Sequence, residues 1–399
     1  MKHATLIAFS VASVVSSLAA ATGQDAHPLR YRLDAVPSPA AADTSCLPGH
    51  TTRTIPRSIN DFGSVAADYT CYIADFNGIP ASQSAGQAFV WSPWLGTRLI
   101  PRAADARGVN AQSVNNRGDV FGREFSLDGS TYGFRSTLYG AYERVFESPP
   151  ECSKIDGAAA GNLAGYIVGF GLRADPSGAC AVKWLIRTPA GAISVGPVGG
   201  QPWDINSWNV AVGDAGSAAV RFHVPSGSTR VLFAGDATTF GRAQDINDDG
   251  EVAGYLSLQN KFCGQATAVS WDQFGRMRAL PHLAGKVSSR ALGIGDTEVV
   301  GQSGAGQYCT APYSETERAV IWKRGEVADL NAVIPQWHGV TVTRAVGVNR
   351  AGQILAQGFR NDEPLTGCPV LSWDENDNPV LDYSTPCRNL HSFVLTPVR

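Results

Sequence analysis

Short apolar bursts separated by Gly, Asn and Pro run the length of the chain, and the bursts alternate apolar and polar positions. Period-two alternation of this kind predicts strands rather than helices. One pattern recurs: apolar-Asn-x-x-Gly-x-Val-x-Gly. It begins at Ser58 (SINDFGSVAA), Ser113 (SVNNRGDVFG), Ala160 (AGNLAGYIVG), Asp204 (DINSWNVAVG), Asp245 (DINDDGEVAG), Gly293 (GIGDTEVVG) and Gly347 (GVNRAGQILA). Successive copies lie 41 to 55 residues apart, the spacing of propeller blades. A second pattern follows the first: AFVW at Ala88, AVKW at Ala181, AVSW at Ala268, AVIW at Ala319 and VLSW at Val370, with weaker forms at Gly133 and Ala218.

Each unit therefore reads as four strands. Strand a runs into the Asn-x-x-Gly turn, strand b follows it, strand c carries the Trp, and a Gly-containing turn leads to strand d. Four strands per unit and seven units predict an all-β propeller of seven four-stranded blades, because a single blade cannot bury both faces alone. The ending HSFVLTPV resembles a strand c without a following d. Tyr31–Val36 (YRLDAV) alternates, and is expected to complete the last blade as its strand d. The segment PVLSWDENDNPVLD competes for strands c and d of that blade, so six or eight blades are the alternatives.

Composition narrows the picture. With 43 Gly and 23 Pro in 399 residues and a net charge of −3, there is no electrostatic case for binding nucleic acid or an anionic membrane. Residues 1–21 read as a secretory leader: Lys2, an apolar run from Ala4 to Leu18, and Ala19-Ala20-Ala21 as the cleavage site. That leaves residues 22–399 as a single exported propeller domain, secreted or periplasmic, with no membrane insertion after cleavage and expected to be a monomer. All eight cysteines fall in the mature chain, and no C-x-x-C spacing suggests zinc.

The two repeated motifs and the SFVLTPV ending resemble the HAF repeat family of extracellular bacterial proteins, over most of residues 30 to 397. The His-Ala-Phe triplet itself is reduced to His391-Ser392-Phe393. The resemblance implies export and a propeller-like repeat; it implies no activity.

Candidate chemistry is sparse. Asp245, Asn247 and Asp249 match the first three ligand positions of a calcium loop, with Gly250 at the sixth. A later carboxylate is missing, since Ala253 and Leu256 stand where one is needed. The turn reading explains more: Asn bonds its own backbone, and Gly supplies φ > 0. In the fourth copy Asn209 replaces that Gly, a substitution that a backbone requirement allows and a metal requirement does not. Weak calcium is the only cofactor left open. GQSGAG at Gly301 lacks the strand–turn–helix setting of a nucleophile elbow. The recurring Trp91, Trp184, Trp271, Trp322 and Trp373 are expected to pack between blades. We find no paired carboxylates at matching repeat positions.

The a–b and c–d turns of a propeller lie on one face, and the b–c and d–a connections on the other. All eight cysteines map to the second face. The expected pairs are Cys46–Cys71, Cys152–Cys180, Cys263–Cys309 and Cys368–Cys387, though spacing does not fix connectivity. A face of stapled, variable loops suggests a binding module for an extracellular protein or a glycan, with Phe262, Tyr308, Tyr313 and Trp337 as candidate contacts. An extracellular propeller enzyme, a glycan hydrolase or lyase, and a purely structural surface protein are the alternatives.

Overall fold

A computed structural model describes residues 30–39, 51–72, 86–147, 151–153, 155–175, 177–258, 265–304, 316–364, 366–373 and 379–398. The leader at 1–21, Cys46, Phe262, Cys263, Tyr308, Cys309 and Tyr313 lie outside them, as do the side chains of Cys71, Cys368, Trp373 and Cys387. The described chain is mostly strand, and the helical elements with described bounds are two single turns, Leu330–Ala332 and Gln336–His338.

The strands form antiparallel a-b-c-d sheets of the expected order. The first repeat supplies Thr51–Ile59, Val65–Tyr72, Gln87–Ser92 and Gly96–Leu99. It joins the second repeat into one eight-stranded sheet, but the junction is a single parallel bridge, Gln87 to Val109. Repeats three to six each form a separate four-stranded sheet. The last sheet is assembled from both ends of the chain: Val340–Val348 and Ile354–Arg360 pair as a and b, His391–Pro397 is c, and Tyr31–Ala35 is d. The N-terminal strand thus closes the ring as the alternation predicts. PVLSW does not supply the c strand. Thr366–Trp373 pairs only with Pro379–Cys387, as a hairpin inserted between strands b and c.

The core lies between sheets. One cluster joins Val90 and Ile100 of the first repeat to Val109 and Phe134 of the second. Others join Trp184 to Phe222, Val212 to Trp271, Ala268 to Trp322, and Ile321 to Phe393, each pair from consecutive repeats. A further cluster joins Leu355 and Val394 of the last repeat to Val65 and Phe89 of the first. Trp184, Trp271 and Trp322 are fully buried there, so the repeated Trp is a packing residue.

The repeated Asn and Gly each have a specific task. Asn60 accepts the N–H groups of Phe62 and Ser64 on its own turn, at 3.0 and 2.9 Å, and its amide donates to the carbonyl of Asn115 in the next repeat at 2.9 Å. Asn162 donates to Asn206 O at 3.0 Å, Asn206 to Asn247 O at 3.1 Å, and Asn247 to Gly295 O at 2.9 Å. The same residue thus shapes the turn and links one sheet to the next. At the turn's fourth position Gly250 has φ 78° and Asn209 has φ 61°, so Asn209 does occupy the left-handed region in place of Gly. The glycine of strand b answers to space. A Cβ at Gly254 would sit 1.9 Å from Arg242 O, and one at Gly301 1.9 Å from Arg290 O.

Candidate functional site

The inner strands enclose a cavity of about 540 Å³ along the ring axis, lined from mid-strand a to the a–b turns. Its wall is shaped by a bulge in the same place in every repeat, between Pro56 and Ser58, Ala111 and Ser113, Ala158 and Ala160, Pro202 and Asp204, Ala243 and Asp245, Ala291 and Gly293, and Ala345 and Gly347. Bulges re-aim side chains. At several of these bulges the residue that follows comes close to the next repeat. A Cβ on Gly293 would lie 2.7 Å from Gly347 Cα, and Ser113 Oγ donates to Ala159 O at 2.8 Å.

Most positions of this row are Ser, Ala or Gly. Two neighbours, Asp204 and Asp245, are acidic, and their carboxyl groups hydrogen-bond to each other. Asp204 Oδ2 also accepts the N–H of Ile246 at 3.3 Å. Asp245 accepts Ile246 N–H on Oδ1 at 3.0 Å and Ile294 N–H on Oδ2 at 2.8 Å. Two carboxylates share a hydrogen bond only if one is protonated. Both residues are half-buried by surface area, because they face the channel; the surrounding wall nevertheless shields them closely. That burial raises both acids above the ordinary carboxylate range, and the charge of Asp204 raises Asp245 further. The two carboxyls therefore hold one proton between them, and the pair titrates as a unit.

The channel mouth on the a–b side is polar. Arg350 pairs with Asp61 and with Asp248, reaching across the sixth repeat, whose turn is tighter. Asn116 and Asp61 bond reciprocally at 2.9 and 2.7 Å, and Ser207 donates to Asp248 through its N–H at 2.9 Å and its hydroxyl at 3.0 Å. Deeper in, arginines are tied to acids on the second strand. Arg57 meets the fully buried Asp68 at 2.7 Å. Arg242 lies over the Trp203 ring at 4.5 Å, while Trp203 donates to Asp214 at 2.7 Å.

The calcium-loop residues separate. Asp245 belongs to the acid pair. The Asn247 amide is used by the ring, and its Oδ1 accepts Glu251 N–H at 2.9 Å. Asp249 is exposed on the turn. Among the described residues, no three His, Cys, Asp or Glu side chains are grouped to hold a metal. Ser303 of the GQSGAG stretch is fully buried and donates to Ser288 O at 3.2 Å, away from the channel lining. Trp337 is exposed, on the d–a connection into the last sheet. Cys152 and Cys180 are joined, with Cα atoms 5.8 Å apart, as one of the four expected pairs.

Comparison with other proteins speaks to the fold alone. The chain matches no protein-family profile, and no curated sequence is similar to it. Among solved structures it is similar to an oligogalacturonate lyase in complex with manganese, at 11% identity over 93% of this chain and 97% of that one, TM-score 0.49. It is similar to the β-propeller domain of the Trilobed protease from Pyrococcus furiosus, at 11% identity over 84% and 99%, TM-score 0.48. A puromycin-hydrolyzing peptidase from Mycobacterium tuberculosis matches at 14% identity over 89% and 56%, TM-score 0.46. The second of these is a β-propeller by name; at these identities and TM-scores nothing of their sites carries over to this chain.

The acid pair corrects the expectation of no paired carboxylates at matching repeat positions. Asp204 and Asp245 open consecutive copies of the repeat, so the signal was in the aligned copies. The calcium-loop match groups Asp245 with Asn247 and Asp249 of its own turn, not with Asp204 of the preceding copy.

Proposed function

We propose that this chain is an exported propeller of seven blades, counting each half of the eight-stranded sheet as one, and that it is an enzyme acting on a glycan in its central channel. The single observation that carries the reading is the proton-sharing pair Asp204 and Asp245 in a polar cavity. A hydrogen-bonded pair is closer than the roughly 5 Å needed for a separate nucleophile, or the roughly 6.5–9.5 Å that admits a water between acid and base. It acts as one acid–base unit. The step that such a spacing allows is an elimination: ionised Asp204 removes a ring C–H proton while Asp245 gives its proton to the leaving glycosidic oxygen, both from one side of the sugar. The glycosidic carbon–oxygen bond breaks as a carbon–carbon double bond forms, so no water is consumed. A hydrolase would need the two carboxyls parted to admit a water between them. The disulfide between Cys152 and Cys180 supports work outside the cytoplasm, as the HAF-like repeat does.

One observation favours a second reading. Both oxygens of Asp245 already accept backbone N–H groups, one of them from the next repeat. A pair so anchored serves equally as a staple between sheets, and the propeller is then a binding module for a protein or glycan. The test is a polysaccharide panel assayed for reducing ends and for unsaturated products between pH 4 and 8. The enzyme reading expects turnover by the wild type, and a loss of about 100-fold or more in Asp204→Asn and in Asp245→Asn, the scale of a removed acid or base. Turnover on no polysaccharide, or equal turnover in both variants, returns the chain to the binding class.

A further inference from the structure

Beside the channel mouth, on the a–b turn side, lies a second cleft of about 440 Å³. Phe62 of the first a–b turn and Trp94 of the first c–d turn line it, with Pro93, Gln353 and Thr396. Asp61 lines both this cleft and the channel. Phe62 is 67% exposed and Trp94 84%.

Neither aromatic is required by its turn. The c–d turn uses Gly96, with φ 70°, and at the position of Trp94 the strand register of other repeats places Tyr139, Ala190 or Phe274. The a–b turn needs Asn60 and Gly63, while the position of Phe62 is held by Arg117 in the second repeat and Asp249 in the fifth. Two large apolar rings held out in water on tight, well-anchored turns have no packing reason, and exposed aromatics of this kind mark contact sites. The cleft's polar groups are fixed by their neighbours: Gln353 Oε1 accepts from Asn349 at 2.9 Å, and its Nε2 meets Thr396 Oγ1 at 3.3 Å.

We infer that the Phe62–Trp94 cleft is a sugar-binding subsite that holds a polysaccharide chain as it runs over Asp61 into the channel. A pyranose ring has an apolar C–H face and a rim of hydroxyls. The face suits an aromatic platform, and the rim suits a carboxylate, an amide and a hydroxyl. Continuity with a polar channel through Asp61 favours a long polar chain over an apolar peptide. This rests on the glycan reading above and extends it.

The test measures binding without turnover. Wild type, Phe62→Ala, Trp94→Ala and the double variant are retained, or not, on cellulose, xylan, chitin, starch and polygalacturonate, with Phe274→Ala as an exposed-aromatic control. Wild type and control should be retained by at least one polymer, with retention falling about tenfold or more in Trp94→Ala and in the double variant. Retention on none, or retention unchanged in the double variant, overturns the subsite. Both exposed positions leave the core untouched, and unchanged circular dichroism confirms folding. Loss of retention in Trp94→Ala beside normal retention and no turnover in Asp245→Asn supports both proposals. The same retention result with no wild-type turnover keeps the subsite and removes the enzyme.

Discussion

The side-chain amide of Asn349 donates to the main-chain carbonyl of Asn60 at 2.9 Å, across a sequence separation of 289 residues. It is the same bond that Asn60, Asn162, Asn206 and Asn247 make to the repeat after their own, here returning from the last repeat to the first. Closure of the ring is thus fixed twice, by the N-terminal strand at the outer edge of the last sheet and by Asn349 at the inner end.

Replacing one ring asparagine removes an inter-sheet bond and leaves buried turn N–H groups without an acceptor. Asn206 is 5% exposed and serves Trp208 N–H, Val210 N–H and Asn247 O. Asn206→Ala should destabilise by about 1–3 kcal/mol, the cost of unsatisfied buried groups. Asn206→Asp keeps the acceptor and loses the donor, so it should recover part of the loss. Chemical denaturation of both variants checks the order; an alanine variant as stable as the wild type would show that the ring is incidental.

Asn209 tests the turn separately. Its φ of 61° suits Gly, Asn or Asp and strains other residues. Asn209→Gly relieves strain but gives up the bond that Asn162 Nδ2 makes to Asn209 Oδ1 at 2.8 Å, and should be near neutral. Asn209→Val should cost about 1–3 kcal/mol, since a β-branched residue in this region is an outlier. Thermal melting of the two variants side by side decides the point.

Such elements were legible because repetition averages out local accident. One Asn-x-x-Gly is a weak turn signal, but five of them and two variants in register reveal strand order, turn face and closing strand. The hairpin from Thr366 to Cys387 misled for a related reason: VLSW satisfies the strand-c pattern locally, and only pairing shows that His391–Pro397 holds the c position. The acid pair was harder to see. Which way Asp204 and Asp245 point depends on a bulge in strand a, and the extra residue carries no common signature, since Arg57, Gln112, Trp203 and Leu292 all occupy it. The Phe62–Trp94 cleft brings two turns of one repeat together with strands from the far end of the chain, a contact that only closure creates.

The closing strand should be indispensable. Tyr31 and Leu33 are buried against Ile321, Phe393 and Leu395, and Tyr31–Ala35 covers the outer edge of His391–Pro397. Deleting residues 22–36 uncovers that edge, and bare edges pair between chains. The truncated protein should melt lower and elute in larger species on size exclusion than the chain that keeps these residues. Elution unchanged from that chain would contradict the closure.

The Cys152–Cys180 bond closes a loop with sequence separation 28. Cross-linking a loop of that length stabilises by about 3–4 kcal/mol in the chain-entropy picture. A Cys152→Ala/Cys180→Ala variant should therefore lose stability on that scale, measured by denaturant unfolding under oxidising conditions. Non-reducing peptide mapping of the wild type should return the Cys152–Cys180 peptide and checks the remaining three pairs. A Cys152 peptide joined to any other cysteine would break the assignment.

Stability should fall as pH rises through the titration of the acid pair. Burial lifts both carboxyls, and Asp204 lifts Asp245 further. Over the interval between the unfolded and the folded values, the native chain therefore keeps a proton that the unfolded chain has released. Stability falls with pH wherever the native state binds more protons. The contribution is complete below the ordinary carboxylate range and is lost as pH passes the raised native value. Asp68, Asp214 and Glu317 are shifted up by burial too, so the wild-type melting temperature alone cannot isolate the pair. Asp245→Asn can, because an amide is neutral at every pH and still donates to Asp204. Its melting temperature minus that of the wild type should grow more positive from pH 4 to pH 8. A difference that stays flat over that range would mean that Asp204 and Asp245 do not share a proton in the folded protein.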